Sequence, residues 1–400
     1  MCKEMNKVLF VIPDKSYKSQ DFVNAAKKLN LEIVIVTDST QASEQLGAKN
    51  IFSTDFNNID KKLLKTIPKD VDLVLPVDHS SVTFASILSE ALSTKGNNTE
   101  SVQNCLDKER TRLILTENGT FQPKYKKTKN VQDVIKWVNE KNTKTIIKPN
   151  TGVASIGVMS IENDFNNYEK IQKIIDNCSA NEILIEEFIA GPEFAFEGYL
   201  KDGNLKRVVI FEKPGDYEGP YYEEKMFIAP AEIDNITKNK IQNICQEACN
   251  KLGLTYGPVH IEFKIIQEEV FIIEVNPRTI GGLCSRSLNF NLFKNSLEEV
   301  ILSDLVLNKR ISLDLSYNSS GVLMIPISDE GTFKGLKGES KVREISEVIN
   351  IELSLPVGSY VKKPPFSERY LGFVFANGEN NYKTKETLLQ CEKILSPIID

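Results

Sequence analysis

The residues best placed to do chemistry lie in VHIEFKIIQEEVFIIEVNPR, residues 259–278. His260, Glu262 and Lys264 alternate with Val259, Ile261, Phe263 and Ile265, and further on Ile272, Glu274 and Asn276 alternate with Phe271, Ile273 and Val275. A period of two predicts a hairpin with His260, Glu262, Glu274 and Asn276 on one face and aliphatic side chains behind it. A three-residue loop at Gln267, Glu268 and Glu269 sets Glu262 opposite Glu274 and His260 opposite Asn276. A two-residue loop, putting Glu262 opposite Val275, would mix the faces. Such loops prefer glycine and none is present here, so a longer odd loop stays open. Opposed glutamates repel unless something positive lies between them. An isolated pair reads as a solvated strand face; the Asn276-Pro277-Arg278 ending argues otherwise. Two carboxylates and an amide oxygen are hard ligands suited to Mg²⁺ (Mn²⁺ is a substitute), an ion normally shared with substrate phosphates. Arg278 on the same face would grip a phosphate or carboxylate in bidentate fashion. The set reads as a two-metal phosphate clamp.

A phosphate clamp needs a polyphosphate opposite it. Lys148 ends the strand signal TIIKP and precedes Thr151-Gly152-Val153-Ala154-Ser155-Ile156-Gly157. A lysine ahead of a small-residue loop supplies a cation and backbone N–H groups, with Gly152, Ser155 and Gly157 as the candidate contacts. The plain alternative is a hairpin loop with a surface lysine. GxxxxGK is absent, which excludes a P-loop. Glu186 and Glu187 end an apolar strand, an edge that can read an adenine amino group, and Glu193 lies within reach of ribose hydroxyls. In 213–232, Tyr217, Tyr221 and Tyr222 interleave with carboxylates and read either as a cover over a substrate or as a surface lid. Gly281, Gly282, Ser285 and Arg286 are further pocket candidates.

The elements that must hold these groups follow from the 400-residue chain, 41% hydrophobic and 26% charged, which is globular composition for two or three domains. A net charge of -6 disfavours nucleic acid as a partner, and no apolar run is long enough to span a membrane. The seven cysteines are scattered without CxxC, and there are two histidines, so reduced thiols in a cytoplasmic protein are expected rather than zinc. VLFVIP (8–13), LEIVIVTD (31–38) and DLVLPVD (72–78) read as doubly covered parallel strands with helices between, an open α/β domain lacking GxGxxG. A helix is expected to end at Gly119, and another to fill 234–253. A DG turn at 202–203 closes a further hairpin, and short strands and a closing helix fill the tail. The expected units are 1–104 (N-terminal α/β), 105–307 (nucleotide-binding and catalytic, with a lid at about 115–187) and 308–400 (a small C-terminal α+β unit).

In this order the segments resemble the ATP-grasp superfamily over roughly 105–305. Lys108 in CLDKERTR looks like its first phosphate lysine and Lys148 like its second. ILIEEFIAGPEF is similar to its hinge, which implies adenine reading by Glu186 and the backbone near Ile189, with Glu193 at the ribose. HIEFK and FIIEVNPR resemble the metal strands, carrying Glu262, Glu274 and Asn276, with Arg278 beside the reacting phosphate. GPVHIEFK, NPRTIGGLCSRSL, SSGVLMIPI and YLGFVFANG are similar to the L-amino acid ligases. The resemblance implies an α/β and α+β multidomain ATP-grasp fold, and ATP and Mg²⁺ as cofactors. It also implies ligation of a small-molecule carboxylate to an amine through an acyl phosphate, and a homodimer. His260 stands where several such ligases keep an arginine for the acyl phosphate; a structural role is equally open. A bicarbonate-using carboxylase and a non-catalytic nucleotide-binding module are the competing readings.

Overall fold

The structure is a computed structural model that describes residues 6–14, 16–39, 48, 50–58, 61–117, 120–152, 154–162, 167–215, 219–290, 293–311, 318–367 and 370–400. The three leading apolar runs form parallel strands, Lys7–Ile12, Glu32–Thr37 and Leu73–Pro76. Both faces are covered. Val8 and Phe10 share a core with Phe22 and Val23 of helix Ser19–Lys28, while Leu9 and Val11 pack with Phe84 and Leu88 of helix Val82–Leu92. Polar residues have no place on such strands, which is why the runs are uninterrupted. The edge strand Asn50–Ser53 pairs beside Glu32–Thr37 and is half open to solvent, so no comparable run announces it.

The helix expected to reach Gly119 is two helices, Thr99–Leu106 and Lys108–Glu117, and Gly119 itself lies outside the described residues. Asp107 breaks it: its backbone is extended (φ -91°, ψ 108°) and its carboxylate accepts from the Arg110 N–H at 3.0 Å, capping the second helix. The break puts Lys108 in a first helical turn. An antiparallel lid sheet follows, in the order Tyr125–Thr128, Ile183–Glu187, Thr145–Pro149, Met159–Ile161. Helices Val131–Lys141 and Tyr168–Asn177 back it through Val134, Val138, Ile171 and Ile174.

The central sheet has eight strands among the described residues, each antiparallel to its neighbours. Their order is Glu269–Asn276, Gly257–Ile266, Glu193–Lys201, Asn204–Lys213, Met226–Ala229, Ser319–Ile325, Gly372–Gly378, Val348–Leu353. Three of the strands beyond 308 therefore extend the same sheet, with Met226–Ala229 paired directly to Ser319–Ile325, while Tyr360–Val361, Gly331–Lys337 and Ser396–Ile399 form a small sheet of their own. Helix Asn235–Leu252 packs on the sheet through Ile241, Cys245, Ala248, Cys249 and Leu252, and Gly253 (φ 82°) ends it. The two thiols are core filling, as are the other described cysteines, all buried. Helix Asn381–Ile394 closes the tail. Among the described residues no helix is long and apolar enough to cross a membrane.

In the carboxylate hairpin Glu262 faces Glu274 and His260 faces Asn276, as the pleat requires, but by a different route from the expected loop. Ile266 pairs with Glu269, so the turn is the two residues Gln267 and Glu268, with φ 47° and 67°. Both positive angles mark a twist-matched turn without its usual glycine. The register then shifts at Ile273, which has no opposite number between the pairs Glu262–Glu274 and Phe263–Ile272. This bulge restores the two glutamates to one face. It also leaves the Ile273 carbonyl to accept from Arg112 Nη2 at 2.8 Å.

Candidate active site

A cleft of about 880 Å³ lies between the lid sheet and the central sheet. Lys108, Lys148, Gly152, Ser155, Glu186, Glu187, Ile189 and Glu193 all line it. Gly157 is absent from its lining; its N–H donates to the Pro365 carbonyl at 2.6 Å, tying the small-residue loop to the C-terminal part of the chain. Lys108 Nζ donates to the Gly152 carbonyl at 2.8 Å and sits 3.6 Å from Glu274 Oε1.

Glu186 differs from its expected part. Its carboxylate is buried and held by Arg112 Nε at 2.8 Å and Lys148 Nζ at 2.6 Å, so it fixes the lysine and is not a free reader of an adenine amino group. Burial works against the Glu186 charge, yet Arg112 and Lys148 overcome it and bring the carboxyl down to about 2. For Lys148 burial wins over Glu186, and its ammonium falls to about 8. At the hinge, Lys264 Nζ donates to the Ile189 carbonyl at 3.0 Å and lies 3.7 Å from Glu193.

The expected clamp residues are joined by a cation absent from the sequence reading, Lys213. Its buried Nζ pairs closely with Glu193 and reaches Glu224 at 3.1 Å and Glu262 at 3.3 Å. His260 is equally committed: Nδ1 meets the fully buried Glu197 and Nε2 meets Glu262 Oε1 at 3.1 Å. With both ring nitrogens taken, His260 orients Glu262 and has no N–H left for an acyl phosphate. Burial opposes the imidazolium, but Glu197 and Glu262 outweigh it and lift its pKa from 6.5 to about 9. His260 thus stabilises the fold fully below about 6.5, and this contribution disappears as pH rises through about 9. The shift corresponds to roughly 3 kcal/mol. The metal- and nucleotide-free protein is expected to lose thermal stability across that window. Glu197→Gln should move the fall to lower pH, as thermal melts at graded pH will show.

Among the described residues no three His, Cys, Asp or Glu side chains stand together as a metal site. A divalent ion held by Glu262, Glu274 and Asn276 would need further oxygens from elsewhere, which is how Mg²⁺ is bound when phosphates share it. Asn276 is buried and its Nδ2, a donor that cannot ligate a cation, has no hydrogen-bond partner among the described residues, so a bound ion would be met by its Oδ1.

Behind the glutamates opens a second chamber of about 1260 Å³. Arg278, Gly281 and Gly282 line it, with Tyr17, Asp78 and His79 from the N-terminal domain and Glu223, Glu224 and Tyr370 opposite. Ser155, Glu262 and Glu274 line both spaces, so the two meet at the paired carboxylates. Arg278 Nη1 donates to the Thr279 carbonyl at 2.7 Å, and its Nε has no partner among the described residues. Gly282 (φ 58°) must lack a side chain, since a Cβ would stand 2.8 Å from the Phe373 ring. Asp78 and His79 follow the carboxyl end of Leu73–Pro76, the rim where open parallel sheets bind ligands, a signal the sequence did offer.

Three expected pocket residues lie elsewhere. Ser285 Oγ donates to Glu298 of the neighbouring helix at 3.1 Å, and Arg286 bridges Asp21 at 2.9 Å and Glu352 at 2.5 Å, so the first serves local packing and the second ties together distant parts of the chain. Tyr221 bridges to Met159 and packs on the lid core, whereas Tyr222 lines the first cleft. Tyr217 is outside the described residues.

Residues 141–287 match the ATP-grasp domain, and residues 323–397 match the L-amino acid ligase C-terminal domain 2. The chain is 22% identical over 403 residues to uncharacterized protein y4rH of Sinorhizobium fredii, covering 97% of this chain and 82% of that one. It is 25% identical over 255 residues to the alanine–anticapsin ligase of Bacillus amyloliquefaciens. That match takes in 57% of this chain and 53% of the ligase, so it spans only about half of that relative's length. The fold is that of the L-amino acid ligase from Bacillus licheniformis, with a TM-score of 0.81 at 21% identity and 100% of both chains covered. The domain matches fall on the paired-carboxylate sheet and on strands that extend it, and the chain therefore contains an ATP-grasp domain followed by a C-terminal domain of the L-amino acid ligase type.

Proposed function

We propose that ATP occupies the cleft between the sheets and an amino-acid carboxylate the chamber behind it, the two reacting across Glu262 and Glu274. The protein is an ADP-forming ligase that makes a carbon–nitrogen bond. A carboxylate oxygen attacks the γ-phosphorus, ADP departs, and an amine then displaces phosphate from the acyl phosphate. Such a reaction asks for positioning and charge neutralisation more than covalent help. Lys108 and Lys148 place two cations on the phosphate side of the cleft, and Glu186 keeps Lys148 in line. Arg278 faces the chamber with donor capacity to spare for the transferring phosphoryl. Mg²⁺, for which Glu262, Glu274 and Asn276 are the holding residues, supplies charge neutralisation of the terminal phosphates when bound. Ser155 stands at the junction, and the loop carrying it, tethered at Gly157 to Pro365, keeps water from the acyl phosphate.

The observation carrying this reading is that two separate spaces share the same pair of opposed glutamates. Incubation with ATP, Mg²⁺ and pairs of amino acids should yield ADP and peptide in equal amounts, dependent on both partners. ADP release driven by bicarbonate alone would replace ligation with carboxylation, and silence across a broad amino-acid panel would remove the proposal.

A further inference from the structure

The loop after Arg278 forms part of the chamber wall, because Arg278, Gly281 and Gly282 line the space on either side of Thr279 and Ile280. Those two intervening residues are gripped from opposite directions. Lys18, just ahead of helix Ser19–Lys28, is 1% exposed. Its Nζ donates to the Ile280 carbonyl at 2.8 Å, to Thr279 Oγ1 at 3.1 Å and to the Thr279 carbonyl at 3.4 Å. From the central sheet Glu197, fully buried, accepts the Ile280 N–H at 3.1 Å. One peptide thus gives its N–H to a buried carboxylate and its carbonyl to a buried ammonium.

A lysine in this position is costly. Among the described residues no carboxylate forms an ion pair with it, and burial lowers its pKa against the pull of Asp78. An apolar side chain of the same volume would serve packing at a lower cost. What the ammonium adds is a directional hold on the Thr279 carbonyl, the group that Arg278 Nη1 uses to orient its guanidinium. We infer that Lys18 and Glu197 are positioning residues that set the Arg278–Gly282 loop for the acid substrate, the N-terminal domain thereby tuning a site built on the central sheet. This rests on the reading that the chamber holds the acid.

Lys18→Met in the full chain is the test. The amino-acid KM should rise and kcat fall, each about tenfold, with more ADP formed per peptide, while the KM for ATP stays within about twofold. Lys18→Arg, still able to donate to both carbonyls, should recover most of the loss. Amide hydrogen exchange of a peptide covering 277–283 should quicken about tenfold in Lys18→Met and stay unchanged in strand Ile183–Glu187. Wild-type exchange in the 277–283 peptide would overturn the inference, as would an equal rise in both KM values without rescue by arginine. Should the wild type ligate nothing, the exchange measurement still decides whether the loop is clamped.

Discussion

Glu274→Gln should lower ADP formation by about 10³-fold while nucleotide affinity changes only a few-fold. The side chain lines both spaces, stands opposite Glu262 and has Lys108 at 3.6 Å. Burial resists its ionisation, but Lys108 and other nearby cations carry the carboxyl below the usual range, so it is a full negative charge at neutral pH. Glutamine keeps the shape and removes the charge. The nucleotide would still meet Lys108, Lys148 and the hinge, which is why binding should survive and turnover should not. Steady-state ADP release and equilibrium nucleotide titration measure the two halves separately. Turnover near wild type would show that Glu274 is not the carboxylate that holds the cation for phosphoryl transfer.

Arg112→Met should be the most damaging change away from the reacting groups. Arg112 is 1% exposed and ties three parts of the molecule: Glu186 of the lid at 2.8 Å, Gln122 at 2.8 Å, and the Ile273 carbonyl at the hairpin bulge at 2.8 Å. Its removal leaves a buried carboxylate shared with Lys148 alone and the Ile273 carbonyl short of its donor, a loss of about 3–5 kcal/mol. Thermal melts should show a fall of roughly 5–10 °C. Adding Glu186→Gln should restore part of the stability, because the unbalanced charge is most of the damage. The double variant should stay slow, since Lys148 then lacks the carboxylate that positions it.

How much of this was readable in advance depended on range. Period-two alternation put His260, Glu262, Glu274 and Asn276 on one face because a pleated strand gives side chains no other choice. The turn between them was misread, since Gln267 and Glu268 adopt positive φ without glycine or asparagine, and a bulge at Ile273 leaves no compositional trace. Lys213 and Arg112 were invisible for another reason. Their partners Glu262 and Glu186 are 49 and 74 residues away, and each sits in a segment whose local pattern is an ordinary strand or helix. Arg286 erred in the opposite sense: it follows the glycine turn closely, yet Asp21 and Glu352 claim its guanidinium. Adjacency in sequence is a poor guide where segments distant along the chain converge.

The pairing of Met226–Ala229 with Ser319–Ile325 has a practical corollary. A fragment stopped before the tail would end in a raw, hydrogen-bond-hungry border with Phe227 and Ile228, both otherwise sealed, laid open beside it. Such a truncation invites clumping in place of a smaller working unit. Chimeras with relatives are better spliced inside surface turns such as Asp202-Gly203 than at the apparent seam near 308.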